Sequence, residues 1–114
     1  MKVEIGVENE EFEAELADNF LSRARGLSFR SDGKMLFEFS RPTKAKIDMM
    51  FLSEPLHLYF MDSEKEVIDV QKAEPWRWNP STWRLYSPDQ KYSYLLESFE
   101  VLEIERGDRL EFVI

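Results

Sequence analysis

The chain has 114 residues, 43% apolar and 14% aromatic, which predicts one globular domain over residues 1–114 and excludes intrinsic disorder. It has no cysteine and one histidine, and no run near the ~18 apolar residues of a membrane helix; disulfide scaffolds, thiolate chemistry, zinc-type ligand sets and spanning helices are excluded. A net charge of −8 disfavours nucleic acid, whose phosphates such a surface repels.

From the start, period-two alternation dominates, the pattern of half-buried strands. Val3, Ile5 and Val7 alternate with Lys2, Glu4 and Gly6, then Phe12, Ala14 and Leu16 with Glu11, Glu13 and Glu15, so the two segments read as a hairpin turning at 8–10. The first residues carry neither the basic region nor the apolar stretch of a secretory signal, and a cytoplasmic location is the expectation. A short helix is predicted over Asp18–Arg25, with Asp18 as N-cap and Gly26 at the left-handed position after the last turn. Apolar faces follow at Met35, Phe37 and Phe39, at Ile47, Met49 and Phe51, and at Leu56, Leu58 and Phe60. Ile68 and Val70 continue after the polar turn 62–65, Tyr92, Tyr94 and Leu96 form a late strand, and Leu110, Phe112 and Ile114 close the chain. The predicted fold class is mostly β (α+β): a small antiparallel barrel-like sheet with one short helix.

Residues 75–91 break the alternation. Pro75, Pro80 and Pro88 forbid a continuous helix or central strand, and all three tryptophans, Trp76, Trp78 and Trp83, lie here. A connection this long is usually functional. Indoles are unfavourable in water, so the loop is expected to fold back over the barrel, where Trp76, Trp78 and Trp83 could stack a ligand.

Charge is uneven as well. Residues 19–50 carry a net +4 within acidic flanks, and Arg25 and Arg30 stand at the exit of the predicted helix, where they could hold an anionic group. No metal and no cofactor are predicted, because no ligand cluster or phosphate-cradling glycine loop is present. His57 is the sole imidazole. If 45–52 pairs with 56–61 so that their apolar faces coincide, Asp48 and His57 share the other face, which leaves half of a catalytic triad without an evident serine. Sixteen Glu with few Asn and Gln and no Cys is a composition associated with heat-adapted proteins.

Several short blocks together resemble a known family. Arg25-Gly26-Leu27-Ser28-Phe29-Arg30 is similar to an RGLxxR signature, and Lys34-Met35-Leu36-Phe37-Glu38-Phe39 to a GMLFxF motif. Met49-Met50-Phe51, Pro55-Leu56-His57-Leu58, Tyr94-Leu95-Leu96-Glu97 and Gly107-Asp108-Arg109-Leu110 follow in order. This is the motif order of the uncharacterised "domain of unknown function 192" family. The resemblance implies a compact, mostly β fold with one short helix and supplies no function. The chain departs from the family where Asp48-Met49-Met50-Phe51 stands in place of Trp-Met-Lys-Asn, where His57 replaces Asp, and where Lys34 separates Gly33 from Met35.

The expected function is a non-enzymatic binding protein for a small anionic or apolar ligand, held by Arg25, Arg30 and the tryptophans, with Asp48 and His57 as further candidate contacts. The alternatives are a hydrolase-type enzyme using His57 and Asp48, and a homo-oligomeric or partner-binding protein without a ligand. A small molecule is the expected partner, rather than nucleic acid or a membrane.

Overall fold

The computed structural model describes residues 1–8, 10–17 and 26–114. Six strands form one mixed sheet: β1 (Lys2–Val7), β2 (Glu10–Leu16), β3 (Lys34–Thr43), β4 (Leu56–Met61), β5 (Val67–Ala73) and β6 (Tyr92–Ser98). Their order across the sheet is β1-β2-β3-β6-β4-β5. The first hairpin forms as the alternation requires, with Val3 opposite Ala14 and Ile5 opposite Phe12. Glu8 turns the corner at φ 53°, the left-handed backbone of the tightest hairpin loops. In the β4–β5 turn, Asp62 Oδ1 accepts from the amides of Glu64 and Glu66 at 2.9 and 3.0 Å.

Three features depart from the sequence reading. The sheet is not purely antiparallel, because β2 and β3 run parallel, pairing Glu15 with Met35 and Leu16 with Leu36. Nor do the strands close into a barrel. The residues after β6 span the gap instead, through isolated pairs of Gly6 with Glu111 at one edge and Glu66 with Arg109 at the other. Finally, 45–52 is no strand and makes no hairpin with β4; β4 lies between β5 and β6. The predicted helix over Asp18–Arg25 lies outside the described residues, whereas Gly26 has the left-handed φ of +55° expected after it. Among the described residues the only helical element is a 3-10 turn at Pro80–Thr82.

Apolar side chains pack on both faces of the sheet. One cluster gathers Val3, Ile5, Leu16, Leu36, Tyr59 and Leu96 under Ile104, Leu110 and Phe112 of the last segment. Tyr59 ties that segment down, its hydroxyl accepting from the Leu102 amide at 2.8 Å. The other cluster gathers Met35, Phe37, Leu56, Leu58, Phe60, Tyr92 and Leu95 under Leu27, Met49 and Leu52. The irregular 44–55 segment is held over this second face by backbone bonds between Ile47 and Tyr86 and by the Tyr92 hydroxyl, which donates to the Ala45 carbonyl at 2.7 Å. A strand buried on both faces reads as a near-continuous apolar run, and β6, between β3 and β4, is such a strand. No helix of the described residues is long and apolar enough to cross a membrane.

Candidate functional site

A cavity of about 550 Å³ opens on the second face, in the size range of small-molecule sites. Its floor is Leu95 and Glu97 of β6, with Leu56 beside them. One wall is the far half of β3, from Phe37 to Thr43, where the pairing with β6 slips between Glu38 and Thr43. The other walls are Gly26, Leu27 and Ser28, and the Ala45–Asp48 stretch with Leu52. The slip explains the hollow: past Glu38, β3 no longer follows β6 residue for residue, so side chains do not fill the space between it and the 44–55 segment.

Glu97 is the chemical focus. It faces Met35 across one ladder and Leu58 across the other, both buried apolar residues, and is itself 6% exposed. Removal from water favours the neutral carboxyl, and the negative charge of Asp48 works in the same direction, so the Glu97 pKa is pushed up to about 8. No described residue donates a hydrogen bond that would offset these effects. At neutral pH the cavity floor therefore presents a protonated carboxylic acid, able both to donate and to accept. Gly26 comes close to this group: a Cβ there would sit 3.5 Å from Glu97 Oε1 and 3.4 Å from the Phe37 ring. Asp48 stands at the mouth, one carboxylate oxygen accepting from the Met50 amide at 3.0 Å.

Of the residues singled out by sequence, the cavity contains Asp48 alone among those described. Arg25 lies outside the described residues. Arg30 is held by the chain's own Glu15, at 2.7 Å, and is no free anion ligand. This pair lowers the Glu15 pKa, chiefly through the hydrogen bond from the guanidinium. His57 does not meet Asp48. It pairs with Ser98 and Lys72 across the ladders, one residue out of step with Leu58 and Glu97, so strand alternation turns it to the face away from the cavity. Burial and the nearby Lys72 lower its pKa, favouring a neutral ring. The Asp48–His57 expectation depended on a 45–52/56–61 hairpin, which the parallel crossover and the insertion of β6 beside β4 preclude.

The tryptophan loop likewise holds itself rather than the cavity. Trp76 packs against the second-face core and donates its indole N–H to the Arg84 carbonyl at 2.8 Å. Trp83 stacks on it at 6.1 Å between ring centroids and donates to the Arg77 carbonyl. Trp78 is 98% exposed, contrary to the expectation that all three indoles fold back. Positive side chains do collect in a shallow groove at the base of this loop, lined by Lys46, Lys72 and Arg84 with Glu74, and Lys46 stands between it and the cavity, lining both.

Over residues 1–112 the chain matches DUF192, a family described as an uncharacterised ACR. The chain belongs to that family. A UPF0127 protein of Pyrococcus abyssi is 34% identical over 110 residues, covering 90% of this chain and 88% of its own. The crystal structure of a protein of unknown function from Novosphingobium aromaticivorans superposes with a TM-score of 0.72 at 20% identity, over 96% of this chain and 83% of that one. One from Sinorhizobium meliloti, named as a candidate transcription regulator, gives 0.75 at 22% identity, over 97% and 92%. At such identities these two likenesses establish the fold alone. Four of the blocks that resembled DUF192 in sequence converge here in space: Gly26–Ser28, Phe37–Phe39, Leu56, and Leu95 with Glu97 line the cavity of this DUF192 chain, joined by Asp48, one of its departures from the family. Glu97 went unnoticed because the β6 alternation was read through Tyr92, Tyr94 and Leu96. The signal was an acid ending an apolar run, the mark of a carboxyl carried into a central strand.

Proposed function

We propose that this protein binds a small, largely apolar molecule in the cavity beside β6, with the ligand's polar end against Glu97. The observation that carries the reading is a carboxyl-bearing residue held nine-tenths buried at the floor of a hollow, where Phe37, Phe39, Ile47, Leu52, Leu56 and Leu95 supply apolar wall. A carboxyl held away from bulk water with no donor among the described residues is costly, and a ligand that satisfies it recovers that cost. This narrows the anionic-or-apolar expectation to its apolar half, since Asp48 opposes a negative ligand, the protonated Glu97 offers it no positive charge, and Arg41 and Lys46 lie exposed at the rim. A small-molecule partner also suits a chain whose net charge of −8 repels nucleic acid.

Binding can be followed by the amide NMR shifts of a small-fragment library. Ala45→Trp places an indole in the cavity from an exposed position whose own contacts are through its backbone. Shifts at Leu95, Glu97 and Phe39 that saturate with ligand and disappear in Ala45→Trp support the reading. Binding that survives the block, or shifts clustered at Trp76–Trp83, oppose it. A hydrolase centred on His57 and Asp48 lacks the shared face that such chemistry needs. The partner-binding alternative draws on one surface feature, the exposed rings of Phe29 and Phe51 stacked at 4.8 Å. Sedimentation at rising concentration tests it, and a monomer throughout counts against self-association.

A further inference from the structure

We propose that the ligand of this cavity carries a positive charge on an amine, seated between Glu97 and Asp48, and that its entry drives a proton from Glu97 into solvent. The inference rests on the cavity being a ligand site. It adds the charge of the ligand and a coupling between binding and pH.

Three observations converge. Glu97 is buried against Met35 and Leu58, is open to the cavity, and is without a donor among the described residues. Asp48, on a different segment, lines the same hollow and acts electrostatically on Glu97. Phe37 and Phe39 line the same cavity, and aromatic side chains attract cations. A neutral ligand meets these two carboxyls and the hydroxyls of Ser28, Ser40 and Thr43 but gains no charge pairing, and the cations of the lining, Arg41 and Lys46, lie exposed at the rim. An ammonium pairs with the carboxyls as a charge and donates up to three hydrogen bonds.

Among the described residues the charged groups around Glu97 are few. β4 presents Leu58 and Leu56, and the 26–28 segment presents Gly26, Leu27 and Ser28. The 45–48 segment presents Asp48 and Lys46, β3 presents Glu38 and Arg41, and β6 itself adds Tyr92, which stays neutral because burial and Glu97 push its pKa to about 12. Lys46, Glu38 and Arg41 are exposed at the rim. The proton balance is then simple. The ligand enters as R–NH₃⁺, the carboxyl of Glu97 ionises, its O–H bond breaks, and the proton passes to buffer. One ammonium–carboxylate pair remains where a neutral acid stood. With a carboxyl that titrates near pH 8, about nine in ten free sites are protonated at pH 7, so close to one proton is released per ligand bound.

The test is calorimetry with phenethylamine, phenylethanol and phenylacetate, which share one apolar body and differ in their head group. Each is titrated at pH 7 in buffers of different ionisation enthalpy. The expected result is that phenethylamine binds tightest and releases close to one proton, and that its affinity rises about ninefold from pH 6 to pH 7 and about fivefold more from pH 7 to pH 8. Glu97→Gln should abolish the release, flatten the pH dependence and weaken phenethylamine about tenfold or more, a larger loss than phenylethanol shows. Asp48→Asn, at an exposed position where folding is not at stake, should weaken the amine several-fold and the alcohol less. Equal binding of alcohol and amine without proton release overturns the charge inference and leaves the cavity reading standing. Preference for phenylacetate overturns it in favour of an anion site. If none of the three binds and the fragment library also fails, the cavity reading itself falls.

Discussion

Replacing Glu97 with glutamine should remove a fall in stability that the wild-type chain shows as the pH rises from 5 to 9. An unfolded glutamate titrates near 4.5, whereas in the folded chain burial and Asp48 push Glu97 to about 8. Between these values the folded state keeps a proton that the unfolded state has lost, so raising the pH favours unfolding. The interval of about 3.5 pH units, at about 1.4 kcal/mol each, makes the full effect about 5 kcal/mol, of which about 4 kcal/mol falls between pH 5 and pH 9. That is a large part of the total stability of a domain this size. Urea unfolding followed by circular dichroism at each pH measures it. His57 acts in the opposite sense: its lowered pKa contributes stability above the ordinary imidazole range that is lost on acidification. Tyr59, Tyr92 and Tyr94 all titrate upward of their ordinary range, above the window. These contributions are common to wild type and Glu97→Gln, so the difference between the two curves isolates the carboxyl. If the curves run parallel to within about 1 kcal/mol from pH 5 to pH 9, Glu97 is ionised in the folded chain and the reasoning is refuted.

Tyr59→Phe removes the hydroxyl that receives the Leu102 amide at 2.8 Å, and should cost about 1–2 kcal/mol with earlier hydrogen exchange at Leu102 and Ile104. Gly33→Ala should cost about 1–3 kcal/mol in urea unfolding, since its φ is +114° and a Cβ would meet Arg30 Nη2 at 2.5 Å. Glu15→Gln breaks the half-exposed pair with Arg30 and should cost under about 1 kcal/mol at pH 7. Because the Glu15 pKa is lowered, that contribution is present above the ordinary glutamate range and is lost as the pH falls below that range, so wild type and variant should converge on acidification. Trp78→Ala should leave stability within about 0.5 kcal/mol, the indole being 98% exposed, whereas Trp83→Ala should loosen the loop and expose Trp76 to fluorescence quenchers.

Local chemistry carried much of the architecture. The alternation of Val3, Ile5 and Val7 against Phe12, Ala14 and Leu16 was enough to place the first hairpin, because a pleated strand sends successive side chains to opposite faces. Gly26 announced a left-handed position, and the order of short blocks announced the DUF192 family. The same rule misled at Ile47, Met49 and Phe51, where apolar spacing came from an irregular segment laid over a core. Met49 is buried there and Phe51 is 60% exposed, a difference that no period describes.

What the sequence determined by itself was therefore composition and local pairing: a mostly β chain without thiols, rich in short strands, with a net charge of −8. What only the tertiary structure decided was which strands became neighbours. Setting β6 between β3 and β4 buried both of its faces, carried Glu97 out of water and turned His57 away from Asp48. The parallel β2–β3 crossover left Gly26–Ser28 beside the same hollow. An acidic residue has one character in water and another against Met35 and Leu58, and the choice is made by partners distant in sequence, because the energy of a charge depends on what surrounds it.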